Sequence, residues 1–218
     1  QRMFLMHGNA DYVDVLERII YNGFLSSVSL QGDTFFYPNP LAADGFYKFN
    51  QGAATRKPWF NCACCPVNIV RFMPSIPGYV YATHDDRLYV NLFIGGEANI
   101  ALEKQEIALT QTTDYPWSGD VTIEVSPEKE SSFALYVRVP AWTRNQPVPS
   151  DLYWPMDSNF EKVMISVNGE PVEYKLDKGY APLRRRWKKG DRVEIHFPMP
   201  IRRMLCHENV EANRGRVA

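Results

Sequence analysis

The spacing of apolar residues changes near Gly78, and this change constrains the fold more than any other feature of the 218-residue chain. Before it, apolar residues recur at helical spacing, as they do over residues 11–23. After it, they alternate with polar residues, and turn residues interrupt the pattern roughly every ten residues. Short strands at such even spacing are typical of an antiparallel β-sandwich. We therefore predict an α+β chain with a helical part over residues 1–77 and a β-sandwich over 78–218.

The helical part contains one clear amphipathic segment. Asp11 is predicted to be the N-cap of a helix that runs to about residue 23. The charged residues Asp14 and Glu17 fall on its predicted solvent face. The apolar residues that share the opposite, buried face are Tyr12, Val15, Leu16, Ile19 and Ile20.

The strand predictions rest on alternation and on turn signals. Asn168-Gly169 between apolar segments predicts a tight hairpin. The basic run 184–189 is interpreted as a solvated hairpin end, and residues 144–159, which contain three prolines, as an insertion loop. A short strand is also expected at 34–37. The other predicted strands are 79–82, 87–93, 97–102, 107–113, 119–126, 133–139, 163–167, 172–174 and 192–197.

Composition gives no support to a nucleic-acid partner or to a membrane-spanning segment. The 24 Lys and Arg residues nearly balance the 25 Asp and Glu residues, so net charge gives no support to nucleic-acid binding. No apolar run approaches the roughly 20 residues of a membrane span. The first residues lie inside a helical pattern and the last ones resemble the start of a strand. We therefore expect a fragment of a larger protein, in which the sandwich is incomplete at its C-terminal end.

Three cysteines occur within four residues, at Cys62, Cys64 and Cys65, and the only other one is Cys206. Thiols are reactive, and placing several side by side is typical of metal or redox chemistry. We interpret the cluster as a zinc-thiolate site. Two alternatives stay open. The cysteines could form a redox-sensing site, or they could merely fix a loop in a non-catalytic carbohydrate-binding or structural β-sandwich module. In that module the sugar would bind Trp117, Trp142 or Trp154.

Several motifs together resemble the bacterial β-L-arabinofuranosidases of glycoside hydrolase family 127 and the related family 146. The motifs are Phe35-Phe36-Tyr37-Pro38-Asn39-Pro40-Leu41, Trp59-Phe60, Cys62-Ala63-Cys64-Cys65-Pro66 followed by Asn68, Pro77-Gly78-Tyr79-Val80-Tyr81-Ala82 and Leu88-Tyr89-Val90-Asn91-Leu92-Phe93. The resemblance implies that residues 1–77 are the C-terminal part of an (α/α)₆ catalytic barrel and that a β-sandwich domain follows. It also implies a retaining glycosidase that releases terminal β-L-arabinofuranose from plant-type glycans.

The resemblance further implies site residues. Cys64 would be the nucleophile, and Cys64 and Cys65 would be two of the Zn²⁺ ligands. The remaining ligands, a glutamate and a cysteine, and the acid/base glutamate have no counterpart in this chain, so we expect the chain alone to be inactive. Tyr37, Asn39 and Trp59 are expected to contact the substrate. The expected partner is a carbohydrate. A homodimer is one candidate assembly, and the compartment, bacterial cytoplasm or periplasm, is left open.

Overall fold

The computed structural model describes residues 1–40, 42–102, 105–157 and 161–216. The chain divides into two compact units. One comprises residues 1–14 and 80 onward, and the other comprises residues 15–79. The α-helices in the described residues are α1 (Arg2–His7), α2 (Asp11–Ile19), α3 (Cys64–Phe72) and α4 (Pro77–Val80). Strands follow α4, so the predicted α+β class is confirmed.

The strands belong to three sheets. In spatial order the first sheet is β1-β2-β6-β10, the second is β3-β4-β5-β11-β8-β9 and the third is β12-β7. Their bounds are β1 Tyr81–His84, β2 Arg87–Val90, β3 Gly96–Leu102, β4 Gln105–Thr113, β5 Asp120–Pro127, β6 Ser131–Arg138, β7 Tyr153–Pro155, β8 Met164–Val167, β9 Glu170–Pro171, β10 Tyr180–Trp187, β11 Asp191–His196 and β12 Met204–Cys206.

The first two sheets form a sandwich around one apolar core. Leu88, Leu135 and Leu183 face inwards from the four-stranded sheet, while Ile123 and Ile195 face inwards from the six-stranded sheet. Alternation along each strand places these residues inside because successive side chains point to opposite faces. The sandwich is not wholly antiparallel, since β2 pairs with β6 in parallel.

The basic run 184–189 is not a hairpin end. Arg184, Arg185 and Arg186 are exposed but lie within β10, and the strand closes with the fully buried Trp187. β10 pairs with β6, whereas the next strand, β11, pairs with β5 and β8. The turn between β10 and β11 therefore joins the two sheets of the sandwich.

The remaining strand predictions meet mixed outcomes. The Asn168-Gly169 hairpin is confirmed, with positive φ at both residues between β8 and β9. Residues 172–174 are not a strand, and β9 lies just before them. The presumed insertion loop 144–159 contains β7, which pairs with β12. The prolines indicated a loop, and no nearby segment indicated a partner strand, because β12 lies about fifty residues further along the chain.

The predicted buried face of α2 is correct only in part. Ile20 is buried as predicted, but Val15 and Ile19 are exposed, whereas Val13 and Glu17 are buried. The reason is Asp14, which accepts a hydrogen bond from the fully buried Arg138 in β6 and turns its own side of the helix inwards. The predicted N-cap was also wrong, because Asp11 is the first residue of the helix. The side-chain oxygen of Asn9 accepts a hydrogen bond from the backbone N–H of Asp11 and so caps the helix.

The unit of residues 15–79 is built around a small apolar cluster of Phe24, Phe35, Phe60 and Ile69. The predicted strand at 34–37 is reduced to isolated bridges at Phe35. What orders the long loop is the fully buried Asn50. Its side chain accepts the N–H of Tyr37 and donates to the carbonyls of Phe35 and Thr55. A loop of this length needs such internal partners for its buried backbone groups.

Candidate active site

The three clustered cysteines lie at the beginning of α3, two of them in its first turn. Cys64 is the first residue of the helix, Cys65 is the second, and Cys62 precedes them in the connecting loop. Cys62 and Cys64 are exposed and Cys65 is partly exposed, and all are free thiols. Backbone N–H groups at a helix N-terminus favour negative charge, so this position favours a thiolate at Cys64.

Tyr37 links the loop to this helix. Its hydroxyl lies 3.0 Å from the Sγ of Cys64 and 3.9 Å from the Sγ of Cys62. The ring packs edge-on against Phe60, and Asn50 holds the backbone N–H of Tyr37. Both contacts fix the direction of the phenol, so its hydroxyl is held against the Cys64 sulfur.

The electrostatics separate the two adjacent thiols. The hydrogen bond from Tyr37 lowers the pKa of Cys64 below its ordinary value. The same contacts, first with Cys64 and then with Cys62, raise the pKa of Tyr37, so the phenol keeps its proton. Burial raises the pKa of Cys65, and the neighbouring Cys64 adds to that shift. Of these two adjacent thiols, Cys64 is therefore the one more easily converted to a thiolate.

The thiol pair fits one part of a zinc site. The two Sγ atoms of Cys64 and Cys65 lie 3.9 Å apart. Two sulfurs at tetrahedral positions around one zinc ion, each at about 2.3 Å, are separated by about 3.8 Å. Within the described residues, no group of three or more His, Cys, Asp or Glu side chains is placed to hold a metal ion. The pair therefore supplies at most two ligands of a four-ligand site.

Asn39 and Trp59 occupy different settings. The amide of Asn39 donates to the carbonyl of Asn22 and to the hydroxyl of Ser26, which ties the loop to the segment after α2. Trp59 is about half exposed, at 55%. Its neighbour Phe60, by contrast, is buried in the apolar cluster. The substrate-contacting roles of Tyr37, Asn39 and Trp59 remain predictions.

Comparison with known families decides the classification. The model of the GH127 β-L-arabinofuranosidase catalytic domain matches residues 1–78, and that of the GH127 middle domain matches residues 87–199. The chain belongs to the GH127 β-L-arabinofuranosidase family. In the described residues, no helix is both long and apolar enough to cross a membrane.

Individual GH127 proteins resemble the chain over its whole length. A non-reducing end β-L-arabinofuranosidase from Bifidobacterium longum is 29% identical and is covered over 32% of its own length. A solved GH127 β-arabinofuranosidase superposes with a TM-score of 0.92 at 47% identity, with 100% of this chain and 33% of that one covered. A GH127 β-L-arabinofuranosidase from Geobacillus stearothermophilus T6 gives 0.84 at 36% identity, with 100% and 32% covered. The chain thus spans about a third of the length of these relatives.

Two features of this GH127 site were missed in the sequence. No sequence signal placed the start of a helix at the cysteines, yet α3 begins at Cys64. Asn68 donates to the carbonyl of Cys64 within this helix. The role of Asn50 had no local signal either, because its partners lie up to fifteen residues away. Leu41, part of the motif that carried the resemblance, lies outside the described residues.

Proposed function

We propose that this chain carries the nucleophile of a retaining β-L-arabinofuranosidase, with Cys64 as the attacking thiolate. The observation that carries the proposal is the contact between the Tyr37 hydroxyl and the Cys64 sulfur at 3.0 Å, at the N-terminus of α3. A thiolate is a strong nucleophile once its pKa is lowered. Both the phenol and the helix terminus act in that direction.

The proposed reaction has two steps, as in other retaining glycosidases. The Cys64 sulfur attacks the anomeric carbon, the bond to the leaving oxygen breaks, and an acid protonates that oxygen. Water then attacks the thioglycosyl bond, the same acid residue now accepts the proton, and Cys64 returns as a thiolate. The acid/base glutamate is proposed to lie in the part of the family fold that this chain does not span.

We further propose that Cys64 and Cys65 are two of the ligands of a Zn²⁺ ion. Bound zinc would keep the coordinated thiols deprotonated at neutral pH. The 3.9 Å separation of the two sulfurs supports this assignment. Within the described residues no third His, Cys, Asp or Glu is placed beside the pair, and we propose that the other ligands lie in the part of the family fold that this chain does not span.

Substrate contacts are proposed for three residues of the same unit. Tyr37 would contact the sugar through its hydroxyl while it orients Cys64. The exposed indole of Trp59 would stack on a sugar face. Asn39 donates hydrogen bonds to Asn22 and Ser26, and these would hold the segment after Tyr37 in place. A sugar contact by Asn39 would be a second role.

For the domains, we propose that residues 1–77 complete an (α/α)₆ barrel and that the sandwich is a second domain. The 218-residue chain alone is then expected to be inactive, because the proposed acid/base carboxylate and the other proposed metal ligands would lie outside it. The working enzyme would act on terminal L-arabinofuranosides. A homodimer stays a candidate assembly.

The test is hydrolysis of an aryl β-L-arabinofuranoside by a protein that carries this chain together with the regions present in its longer relatives. Cys64→Ser should reduce kcat by at least about a thousandfold, because the nucleophile acts in both steps. Cys206→Ser removes a thiol from the other unit and serves as the control. Unchanged activity in Cys64→Ser would refute the nucleophile assignment. Turnover by the 218-residue chain alone would refute the proposal that it lacks essential groups.

A further inference from the structure

A cavity of about 320 Å³ lies between α1 and the strands β1 and β2. It is formed by residues of the sandwich unit and contains none of the cysteines. The side chains that bring chemistry to its wall are His7, His84, Arg87, Tyr136, Asp177 and Lys178. Asp177 is the one carboxylate among the described lining residues, whereas Arg87 and Lys178 are both cations.

The sheet beside the cavity concentrates positive charge. The β2–β6 register places Arg87 beside Ala134, and the β10–β6 register places Arg184 on the other side of the same alanine. Both arginines therefore project from one face, on either side of a small side chain. Their Cζ atoms lie 5.9 Å and 5.8 Å from the ring centroid of Tyr136. This face therefore carries two positive charges around one tyrosine ring, an arrangement that attracts an anion.

The two arginines differ in how their N–H groups are satisfied within the protein. Arg184 donates to the Tyr136 hydroxyl at 2.9 Å, and that hydroxyl lies 3.4 Å from a carboxylate oxygen of Asp177. Arg87 lies beside the Tyr89 hydroxyl. Its Nε is nevertheless buried with no hydrogen-bond partner among the described residues. A buried donor without a partner is costly, so such groups in native proteins call for an explanation.

We propose that this cavity binds the carboxylate of an acidic sugar, a uronate unit of a glycan, through Arg87 and Lys178. A guanidinium matches a carboxylate in geometry and charge. Lys178 donates one of its three N–H groups to the carbonyl of His7, which leaves two for a ligand. The volume lies at the small end of ligand cavities, which suits one sugar unit. That the ligand is a sugar rests on the proposed function, whereas the carboxylate rests on the cavity alone.

The test is a calorimetric titration of the full chain with D-glucuronate, with D-glucose, acetate and inorganic phosphate as separate titrants. Glucuronate should bind at least about tenfold more tightly than glucose and acetate, since only glucuronate carries a carboxylate on a sugar ring. Equal affinity for glucose would overturn the carboxylate assignment. Phosphate binding as tight as glucuronate would overturn the acidic-sugar assignment and indicate a general anion site.

Variants locate the binding. Arg87→Gln should weaken glucuronate binding by about tenfold or more, and Lys178→Gln, an exposed change that spares the fold, should also weaken it. The matched control is Arg192→Gln, an exposed arginine on β11 outside the cavity, which should leave affinity unchanged. Unchanged affinity in both cavity variants would refute the site. Binding is measured without hydrolysis, so this result is independent of whether the protein proves to be an arabinofuranosidase.

Discussion

Removing the carboxylate of Asp14 should destabilise the sandwich unit strongly. Asp14 Oδ1 accepts a hydrogen bond from Nη1 of Arg138 at 2.5 Å, and its Oδ2 accepts the backbone N–H of Ala141 at 3.2 Å. The side chain of Arg138 is 0% exposed and that of Asp14 is 11% exposed. Arg138 also donates to the carbonyl of Asn91. In Asp14→Asn the guanidinium stays buried and keeps its other contacts, but it loses the negative charge of Asp14.

The size of the effect follows from this burial. At an effective permittivity of about 20, two unit charges about 4 Å apart attract each other by about 4 kcal/mol. Breaking a buried pair by removing one partner costs about 3–5 kcal/mol, because the remaining charge is left in a medium of low polarity. Because Arg138 keeps other partners, this range is an upper bound, and we expect Asp14→Asn to lower the free energy of unfolding by about 2–4 kcal/mol.

The matched control is an exposed pair of similar length. Lys162 and Glu173 lie 2.9 Å apart, with side chains 60% and 94% exposed. Water solvates and screens both groups, so Glu173→Gln should leave stability unchanged within error. Four of the five tryptophans lie in the sandwich unit, and the buried Trp187 reports on its core. Urea unfolding followed by tryptophan fluorescence therefore measures both variants. An Asp14→Asn effect no larger than that of Glu173→Gln would refute the buried-pair argument.

Two further predictions concern the same unit. Gly179→Ala should lower the free energy of unfolding by about 2–4 kcal/mol, since φ is +84° and the new Cβ would lie 2.6 Å from the Cβ of Ala10. Gly190→Ala, at φ +83° with open space around it, should lower it by only about 1–2 kcal/mol. Equal losses in urea titrations would contradict the proposed clash. Burial raises the pKa of Asp191, but hydrogen bonds from the backbone N–H of Lys188 and the amide of Asn168, together with nearby positive charges, outweigh it and hold the pKa below its ordinary value. The stabilisation that Asp191 contributes is therefore present above the unfolded pKa and is lost as pH falls through the folded one, and Asp191→Asn should flatten the loss of stability below about pH 4.

Sequence patterns located features that depend on near neighbours. The change to alternation near Gly78, the hairpin at Asn168-Gly169 and the cysteine cluster could all be read from adjacent residues. The buried face of α2 could not. By periodicity Val15 and Ile19 belong inside, but Arg138, more than a hundred residues away, draws Asp14 inwards.

The candidate site shows the same division. The clustering of Cys64 and Cys65 with Cys62 indicated thiolate chemistry from the sequence alone. The difference between the two thiols needed the structure, because it depends on which sulfur the Tyr37 hydroxyl reaches. That contact depends in turn on Asn50, whose buried amide bridges parts of the loop well apart in sequence.

The most direct test of the zinc-thiolate account is the zinc content per chain, measured by elemental analysis. The protein measured should carry this chain together with the regions present in its longer relatives. Near-stoichiometric zinc is expected there, with loss of most of it in both Cys64→Ser and Cys65→Ser and retention in Cys206→Ser. The 218-residue chain alone should bind zinc weakly, because it offers two ligands of the four. Zinc-free protein, or full zinc retention in both cysteine variants, would contradict the account.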